Sequence, residues 1–334
     1  MSVGPARDDT APSETSAACA HRAAPGDAHQ RGAAMEYPTS PAGRFGGVHT
    51  IMPTPFTDDG ALDLASLERL TDFLIGLGVD GLVVLGVLGE APKLTEAERD
   101  AVLRTTVAAA AGRVPVYAGA GGAGTAMAVA RGQSMLAGGA AGLLVAPPPT
   151  QSDAVVRAFY QAHDEALGAP LILHDYPAVT GVRMSAELVA ELHAALPSVV
   201  VIKLEETPSL PKVSRLRELG SEIGIVGGLG GGFLLEELMR GADGIMTGLS
   251  YPELLVEIVD AWHAGDVGRA RRVFYGACPL MRYEFQPGIG LAIRKEIYRR
   301  RGAIASAHVR HPGAQVDDHV RGELDAVLAA CGLA

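Results

Sequence analysis

The sequence predicts an α/β protein, a (β/α)₈ (TIM) barrel followed by a C-terminal helical extension. From Gly47 onward, short apolar runs alternate with amphipathic segments, and eight such pairs can be counted before residue 265. Eight strands that are each followed by a helix are typical of a closed parallel barrel. The alternative is a doubly wound open sheet, which is disfavoured because no G-x-G-x-x-G motif follows the first strand.

Each predicted strand is a short apolar run bounded by turn residues or helix starts. The candidate strands are 49–52, 81–85, 114–117, 142–146, 170–175, 199–204, 223–226 and 244–247. Helical patterns lie between them near 64–77, 95–111, 125–138, 153–166, 185–195, 208–219, 232–240 and 252–264. Thr95 with Glu98 three residues later forms a capping box, and Ser185 is a good cap for another helix. Three more helical patterns follow, at 266–282, 289–301 and 317–330.

The first 45 residues differ from the rest of the chain. They are rich in Ala, Pro, Gly, Ser, Thr and His without apolar periodicity, which predicts a disordered leader over residues 1–45. A basic stretch followed by an apolar core is absent, so the leader is not interpreted as a secretory signal. Met35 lies just before the folded part, so the leader is either an artefact of start-site assignment or a dispensable tail. The barrel is predicted over 46–265 and the helical extension over 266–334.

The composition predicts an acidic cytoplasmic protein. Hydrophobic residues make up 48% of the chain, charged residues 20%, and the formal net charge is −10. This balance argues against nucleic acid or an anionic membrane surface as a partner. No apolar stretch approaches the ~20 residues that a transmembrane helix needs. Cys19, Cys278 and Cys331 are far apart and odd in number, which indicates neither a disulfide framework nor a metal site, and no cofactor is predicted.

Lys203 lies in the apolar run 198–204, which is typical of a buried strand. The chain has only four lysines among its 28 lysine and arginine residues, so a lysine inside a strand stands out. Burial favours the neutral amine, which can attack a carbonyl carbon and form an imine. The alternative is a packed lysine stem whose ammonium reaches solvent or pairs with Glu205 or Glu206.

Four segments in this order carry a family resemblance: Pro53-Thr54-Pro55-Phe56, Gly86-Val87-Leu88-Gly89-Glu90, Ile202-Lys203 and Gly241-Ala242-Asp243-Gly244. Over about residues 46–330 the chain resembles the dihydrodipicolinate synthase/N-acetylneuraminate lyase family. The resemblance implies a barrel with a C-terminal helical extension, usually assembled as a homotetramer. It also implies chemistry through a lysine imine with pyruvate or another small 2-oxo acid, and it gives Lys203 the Schiff-base position.

The resemblance further implies substrate contacts at five positions: Thr54, Val87, Leu88, Gly89 and Gly228. The family loop usually carries a hydroxyl pair where this chain has Val87 and Leu88. Their backbone N–H groups can still bind a substrate carboxylate, but a hydroxyl proton relay is lost. Gly228 belongs to the glycine-rich segment 227–232 after the seventh strand, which either binds a phosphate group or lets the backbone approach a non-phosphorylated polyol.

His174 stands where the family usually has the tyrosine that hydrogen-bonds the imine site. Side chains two residues apart share one face of a strand, so Tyr176 is expected above His174 at the barrel mouth. An imidazole can take and give a proton near neutral pH, and His174 and Tyr176 are therefore candidate catalytic residues beside Lys203. The alternative is a packed core histidine held by Asp175 or by a backbone carbonyl.

Other departures bear on the substrate. Pro147-Pro148-Pro149 replaces a Pro-Tyr-Tyr segment, and no arginine stands near Val179, where synthases of the family bind the carboxylate of their aldehyde. Segments 302–306, 310–312 and 203–208 resemble 2-keto-3-deoxy-L-arabonate dehydratases. We therefore expect a Schiff-base-forming lyase that acts on a 2-oxo acid, a dehydratase of a 2-oxo-3-deoxy sugar acid. The alternatives are a pyruvate-dependent aldolase, working by retro-aldol cleavage or condensation, and a non-catalytic family member that binds a 2-oxo acid.

Overall fold

The chain folds into a closed barrel of eight parallel strands. The computed structural model describes residues 37–333. The strands pair in chain order, and the first strand closes the barrel by pairing with the eighth, His49 lying beside Met246. The predicted (β/α)₈ barrel with C-terminal helices is confirmed. Among the described residues, none of the helices has the length and hydropathy required to cross a membrane.

The strands are short and are separated by helices. They are β1 (Gly47–Ile51), β2 (Gly81–Val84), β3 (Val116–Gly119), β4 (Gly142–Val145), β5 (Leu171–Asp175), β6 (Val199–Leu204), β7 (Gly224–Gly227) and β8 (Gly244–Thr247). The helices are α1 (Leu64–Gly76), α2 (Glu96–Ala110), α3 (Thr125–Ala137), α4 (Asp153–Leu167), α5 (Pro177–Thr180), α6 (Ala186–Ala195), α7 (Ser209–Glu218), α8 (Leu234–Met239), α9 (Pro252–His263), α10 (Val267–Glu284), α11 (Gly290–Arg300) and α12 (Asp318–Ala330).

The predicted elements agree with these bounds to within a few residues, and both predicted caps are present. The Thr95 hydroxyl accepts the Glu98 N–H while the Glu98 carboxylate accepts the Thr95 N–H, and Ser185 caps α6. The sequence analysis missed the single turn α5 and two 3₁₀ turns at Ala91–Lys93 and Leu229–Gly231. Each of these three turns follows the carboxyl end of a strand, where loops carry the irregular backbone of a barrel's site.

A cluster of apolar side chains fills the barrel interior, and every strand contributes to it. Its members on the inward face of the strands are Ile51, Val83, Tyr117, Leu144, Ile172, Val201, Val226 and Met246. Side chains alternate across a strand, so the residue two positions after each member also points inward. On β5 and β6 those residues are His174 and Lys203, and the strand register places them side by side. The fold therefore brings these two predicted site residues together at the carboxyl end of the barrel.

The larger apolar core lies between the strands and the surrounding helices, and the C-terminal helices extend it. α10 packs against α9, α11 and α12. After α11 the chain returns toward the barrel mouth, where residues 303–316 contact the loop between β2 and α2. Arg310, for example, donates its backbone N–H to the Glu90 carboxylate at 3.1 Å. A C-terminal segment therefore supports a loop that follows the second strand.

The boundary of the predicted disordered leader needs a correction. Residues 1–36 lie outside the described residues, but residues 37–45 are ordered against the barrel. Thr39 forms a β-bridge with Phe45, whose ring is buried, and Arg44 and Ser40 both bond the Asp243 carboxylate at 2.9 Å. These residues fall within the predicted leader because six of the nine are Pro, Thr, Ser, Ala or Gly. Their order comes from contacts with a residue about 200 positions away, which composition does not reveal.

Candidate active site

Lys203 is the fifth residue of β6, and its ammonium group lies at the open carboxyl end of the barrel. The residue is 5% exposed. Nζ contacts Glu205 Oε2 at 2.6 Å and His174 Nε2 at 3.2 Å. A buried ammonium needs a charge partner, because removing it from water is costly. Glu205 supplies that partner, so of the alternative environments predicted for this lysine the pairing with Glu205 is present and an ammonium that reaches bulk solvent is not.

Glu205 is the residue that joins the cluster together. Its Oε2 atom contacts both Lys203 and His174, while Oε1 accepts the backbone N–H of Leu229 at 3.1 Å. Burial alone would raise the pKa of the Glu205 carboxyl. The Lys203 charge and the hydrogen bond with His174 outweigh burial and hold this pKa well below its usual range. Glu205 is therefore a carboxylate throughout the neutral range.

His174 is buried on β5, and its Nε2 atom lies 2.7 Å from Glu205 Oε2. Burial and the nearby Lys203 charge lower the pKa of His174 below its ordinary value of 6.5. Nε2 can donate to Glu205 or accept from Lys203, depending on the tautomer, but one ring nitrogen does not do both at once. The neighbouring Asp175 points to the other side of the strand and pairs with Lys212 at 2.6 Å. The partner of His174 is therefore Glu205 and not Asp175.

Tyr176 lies one step above His174, as strand parity predicts. The two rings stack with their centroids 5.6 Å apart and an angle of 28° between their planes. Burial, and next the Glu205 charge, raise the pKa of the Tyr176 phenol. Its hydroxyl is therefore protonated near neutral pH and can donate a hydrogen bond toward the cavity that both rings line.

The loop between β2 and α2 presents Val87 and Leu88 to the same cavity. Within the loop, Gly89 N–H bonds Gly86 O and Glu90 N–H bonds Val87 O, each at 3.1 Å. The N–H groups of Val87 and Leu88 have no acceptor in the described part of the chain. Two neighbouring free N–H groups form a suitable site for a carboxylate, as the sequence analysis expects of this loop.

Thr54 and Gly89 lie behind this loop. The Thr54 hydroxyl donates to the carbonyl oxygen of Gly89 at 2.7 Å, and Thr54 is fully buried. Neither residue lines the cavity that contains Lys203. Their position indicates that they hold the loop in place, which differs from the direct substrate contact that the resemblance implies.

Gly228 also has a different environment from the one expected. A Cβ atom added to Gly228 would clash with the side chain of Glu205. The absence of a side chain at this position therefore makes room for the carboxylate of the cluster. In the same glycine-rich segment, Gly230 lines the cavity, so the segment touches the candidate site at Gly230 while Gly228 packs behind it.

The cluster opens into a cavity of about 60 Å³. Its lining includes three residues that were not named as site residues from the sequence: Glu205, Thr247 and Arg294. Arg294 comes from α11 in the C-terminal extension and pairs with the buried Glu284 at 3.0 Å. A second cavity, of about 480 Å³, shares Gly86, Val87, Leu144 and His174 with the first one. The small cavity therefore continues into a larger one at the barrel mouth.

The described residues contain no group of three or more His, Cys, Asp or Glu side chains arranged to bind a metal ion. Their chemistry comes instead from an amine, a carboxylate, an imidazole and a phenol. Strand parity could have identified Glu205 from the sequence, because it follows Lys203 by two residues and shares its face. No local signal indicates Arg294, which reaches the site through the packing of the C-terminal extension.

Comparisons with known proteins agree with this geometry. The model of the Dihydrodipicolinate synthetase family matches residues 44–331. An L-2-keto-3-deoxyarabonate dehydratase from Azospirillum brasilense is 33% identical over 291 residues, which cover 85% of this chain and 94% of that protein. The resemblance inferred from the sequence, including its dehydratase branch, is confirmed.

Solved structures show the same similarity. A dihydrodipicolinate synthase from Rhodopseudomonas palustris superposes with a TM-score of 0.83 at 37% identity, covering 88% of this chain and all of that one. YagE, a prophage protein of the dihydrodipicolinic acid synthase family from E. coli K12 solved in complex with pyruvate, has a TM-score of 0.81 at 27% identity, covering 87% and 99% of the two chains. This chain belongs to the dihydrodipicolinate synthetase family.

Proposed function

We propose that the chain is a lysine-imine lyase acting on a 2-oxo acid, and specifically a dehydratase of a 2-oxo-3-deoxy sugar acid. The observation that carries this proposal is the cluster of Lys203, Glu205 and His174 at the carboxyl end of β5 and β6, open to a cavity. An amine, a carboxylate and an imidazole in mutual contact provide a nucleophile and two groups that can move protons.

Lys203 must lose a proton before it can attack the substrate. His174 Nε2 lies 3.2 Å from Nζ and can accept that proton in the tautomer that leaves Nε2 unprotonated. The Lys203 charge is one of the causes that lower the pKa of His174, so discharging Lys203 makes the imidazole a better base. Glu205 then stabilises the imidazolium from 2.7 Å, and the free amine adds to the C2 carbonyl.

The substrate is held by its carboxylate at the N–H groups of Val87 and Leu88. Loss of water from the adduct of Lys203 and C2 gives an iminium ion, which withdraws electrons from C3. The proton that His174 took from Lys203 leaves with the water lost from the adduct. Glu205 then removes a proton from C3 and passes it to His174 through their 2.7 Å contact, and His174 protonates the C4 hydroxyl as the enamine expels it as water. Hydrolysis of the imine releases the dehydrated product and restores Lys203. Each proton taken up by Glu205 or His174 is returned within one turnover.

The competing reaction on the same iminium is cleavage of the C3–C4 bond, as in a pyruvate-dependent aldolase. The similarity to a dihydrodipicolinate synthase and to a protein solved with pyruvate favours this second candidate. Cleavage requires a base at the C4 hydroxyl. The two-tyrosine relay that serves there in the resembling aldolases is lost, because His174 replaces the tyrosine at the imine site and Pro147-Pro148-Pro149 replaces the segment with the second tyrosine. The similarity to a 2-keto-3-deoxyarabonate dehydratase supports dehydration.

Two experiments test the proposal. Incubation with pyruvate and borohydride should give a covalent adduct on the peptide that contains Lys203. A protein that only binds a 2-oxo acid would give no adduct. A screen of 2-oxo-3-deoxy pentonates and hexonates, followed by NMR, should then detect dehydrated products. Release of pyruvate and an aldehyde from every substrate consumed would contradict dehydration and favour the aldolase. The homotetramer expected from the resemblance can be measured by light scattering on the same sample.

A further inference from the structure

The larger cavity at the barrel mouth has positively charged side chains in its lining. It measures about 480 Å³, a volume within the range of small-molecule sites, and it adjoins the imine site. Its lining is otherwise made of glycine, alanine, proline and apolar residues with His174 and Thr180. Among the residues that the structure describes, Arg99 from α2 and Arg131 from α3 are the charged members of its lining. Although the chain as a whole has a net charge of −10, the two arginines make the charge of this lining positive, and the cavity is therefore suited to an anion.

Backbone contacts fix the two guanidinium groups at the cavity wall. Arg99 Nη2 donates to Ala91 O, and Arg131 Nη1 donates to Gly121 O, each at 2.5 Å. The side chains are 10% and 15% exposed, respectively. Because an arginine has five N–H donors, these bonds leave each guanidinium with donors to spare. The side chains are thus held in place before any ligand arrives.

Nearby acids do not balance the positive charge. Glu96 is the carboxylate that pairs with both arginines, at 2.7 Å from Arg131 and 3.8 Å from Arg99, and its side chain is 66% exposed. Burial and the charge of Arg131 lower the pKa of Arg99, as expected for two cations in an under-compensated pair. One positive charge remains, which matches the single charge of a carboxylate better than the ~1.5 to 2 charges of a phosphate group.

The position of the cavity relates it to the substrate. The cavity of about 60 Å³ around Lys203 has space for only a few water-sized groups, enough for the 2-oxo acid end of a molecule. A longer molecule can continue past His174 and Val87 into the larger cavity, because these residues line both cavities. Val179 lines the larger cavity as well, at the position where the resembling synthases carry a carboxylate-binding arginine. Here the cations come from α2 and α3 instead.

We propose that Arg99 and Arg131 form a subsite for a second carboxylate at the far end of the substrate. The substrate class is then a 2-oxo-3-deoxy diacid, with a carboxylate at each end, in preference to a sugar acid that ends in a hydroxymethyl group. This inference rests on the proposed function for the role of Lys203. It further specifies that the far end of the substrate is negatively charged.

Matched pairs of 2-oxo acids test the subsite. Each pair has one chain length and differs in the far end: 2-oxoglutarate against 2-oxopentanoate, 2-oxoadipate against 2-oxohexanoate, and 2-oxopimelate against 2-oxoheptanoate. The half-saturating concentration for borohydride trapping is measured for both members. At the best-fitting length, the diacid should saturate at about a tenfold lower concentration, since a charge-assisted hydrogen bond contributes on that order. Arg131→Gln and Arg99→Gln should each bring the ratio toward one.

Using the ratio cancels any general loss of imine formation in a variant. Arg157→Gln is the control, because Arg157 makes an exposed ion pair with Glu191 on α4 and α6, and it should keep the wild-type ratio. A wild-type ratio near one at every chain length would overturn the subsite. So would a ratio that both arginine variants leave unchanged.

Calorimetry separates this inference from the proposed function. Binding of the same pairs to the wild-type protein without borohydride should show the same preference for the diacid. If pyruvate gives no trapped adduct but the calorimetric preference is present and depends on Arg131, the subsite stands and the imine mechanism fails. If pyruvate is trapped on Lys203 but diacids have no advantage in either assay, the imine mechanism stands and the subsite is overturned.

Discussion

In the described part of the chain three lysines are buried beside carboxylates, Lys203, Lys212 and Lys295, and of these Lys203 alone lines the candidate site cavity. Lys203 is 5% exposed, pairs with Glu205 and lines the site cavity. Lys295 on α11 is fully buried, pairs with Glu90 at 2.5 Å and does not line that cavity. Its ammonium also donates to His308 O at 2.8 Å and lies 4.5 Å from the centre of the Phe56 ring.

The comparison separates a lysine available for chemistry from one that supports the structure. Burial lowers the pKa of Lys295 to about 8 against the opposing effect of Glu90, so by burial and pKa alone it would be a good nucleophile. Its contacts with Glu90, His308 and Phe56 enclose the ammonium, however, and leave a substrate no approach. Lys203 has a carboxylate and an imidazole that can exchange protons, together with open space. Access to a cavity and neighbours that can exchange protons therefore distinguish the proposed nucleophile, Lys203, from Lys295, whereas burial does not.

The largest expected effect is at Lys203. Lys203→Ala should reduce turnover to the assay background while the protein still folds, and no pyruvate adduct should form. Lys203→Arg should not restore activity, because a guanidinium does not deprotonate to form an imine. Peptide mass mapping of the wild-type adduct checks the assignment. An adduct on Lys295 or Lys212 would reverse the comparison between the buried lysines.

Glu205 distinguishes the two lysine environments, since it contacts an imidazole as well as an amine. Glu205→Gln should lower kcat by about 10²–10⁴-fold, because it removes the proposed base at C3. Glu206→Gln is the matched control, since Glu206 contacts Lys212 and Arg183 outside the cluster, and it should cost much less activity. Equal losses in the two variants would show that the effect comes from general charge near β6.

His174 tests the role of the imidazole. His174→Phe should lower kcat by about 10²–10⁴-fold, whereas the final yield of borohydride trapping at Lys203 should stay largely intact, because slower proton removal from Lys203 delays imine formation without preventing it. Because burial lowers the pKa of His174, its ionisation should shape the acid side of the pH profile below 6.5, and the variant should lose that limb. A residual kcat within a few-fold of wild type would refute the catalytic role. Tyr176→Phe is the control. A larger loss of kcat in that variant than in His174→Phe would assign the proton transfer to the Tyr176 phenol.

The structural role of Lys295 predicts an effect on stability rather than on chemistry. Lys295→Met should lower the free energy of unfolding by about 3–5 kcal/mol, because it leaves the Glu90 carboxylate buried beside fewer cations. Urea denaturation measures the loss, and trapping at Lys203 measures the chemistry of the folded fraction. Adding Glu90→Gln to Lys295→Met should recover part of the stability. No recovery would mean that the lysine stabilises chiefly by packing on Phe56.

Glu237 extends the comparison to a buried carboxyl without a cation. Its Oε1 atom accepts the Ser209 hydroxyl at 2.6 Å, while Oε2 has no hydrogen-bond partner within residues 37–333, and burial raises the pKa of the Glu237 carboxyl to about 7. Between pH 4.5 and 7 the folded state holds this proton more tightly than the unfolded state does, so its contribution to stability falls as pH rises. Glu237→Gln should remove a slope of about 1–3 kcal/mol across that window. Glu236→Gln, the neighbour on α8, is the control and should keep the slope.

The fold could be predicted from local patterns because a barrel repeats one local unit. Each strand is an apolar run and each helix is amphipathic or capped, as the capping box at Thr95 illustrates. The turns at 91–93, 177–180 and 229–231 were missed because they contain proline or glycine and are too short for any periodicity. Residues 37–45 were misassigned because their order depends on Asp243, far away in the chain.

The candidate site could be predicted only where it follows strand geometry. Lys203, His174 and Tyr176 were found because they stand on strands or just beyond them, and Glu205 was open to the same reasoning. Lys295 could not be recognised as buried from the sequence, since its partner Glu90 lies 205 residues earlier. The resemblance implies that Thr54 and Gly228 contact the substrate. In the structure Thr54 instead donates a hydrogen bond to the Gly89 carbonyl, and Gly228 packs against the Glu205 side chain.

The contacts between Glu90 and the C-terminal segment bear on how the protein is made. The Glu90 carboxylate pairs with Lys93 and Lys295 and accepts the N–H of Arg310, so the loop that carries Val87 and Leu88 is anchored by its own Lys93 and by two residues of the C-terminal extension. A ribosome produces this loop early and its C-terminal anchors only near the end of synthesis. A nascent chain can therefore complete the eight strands of the barrel and still lack a fixed carboxylate site. That site is finished only when Arg310 has left the exit tunnel.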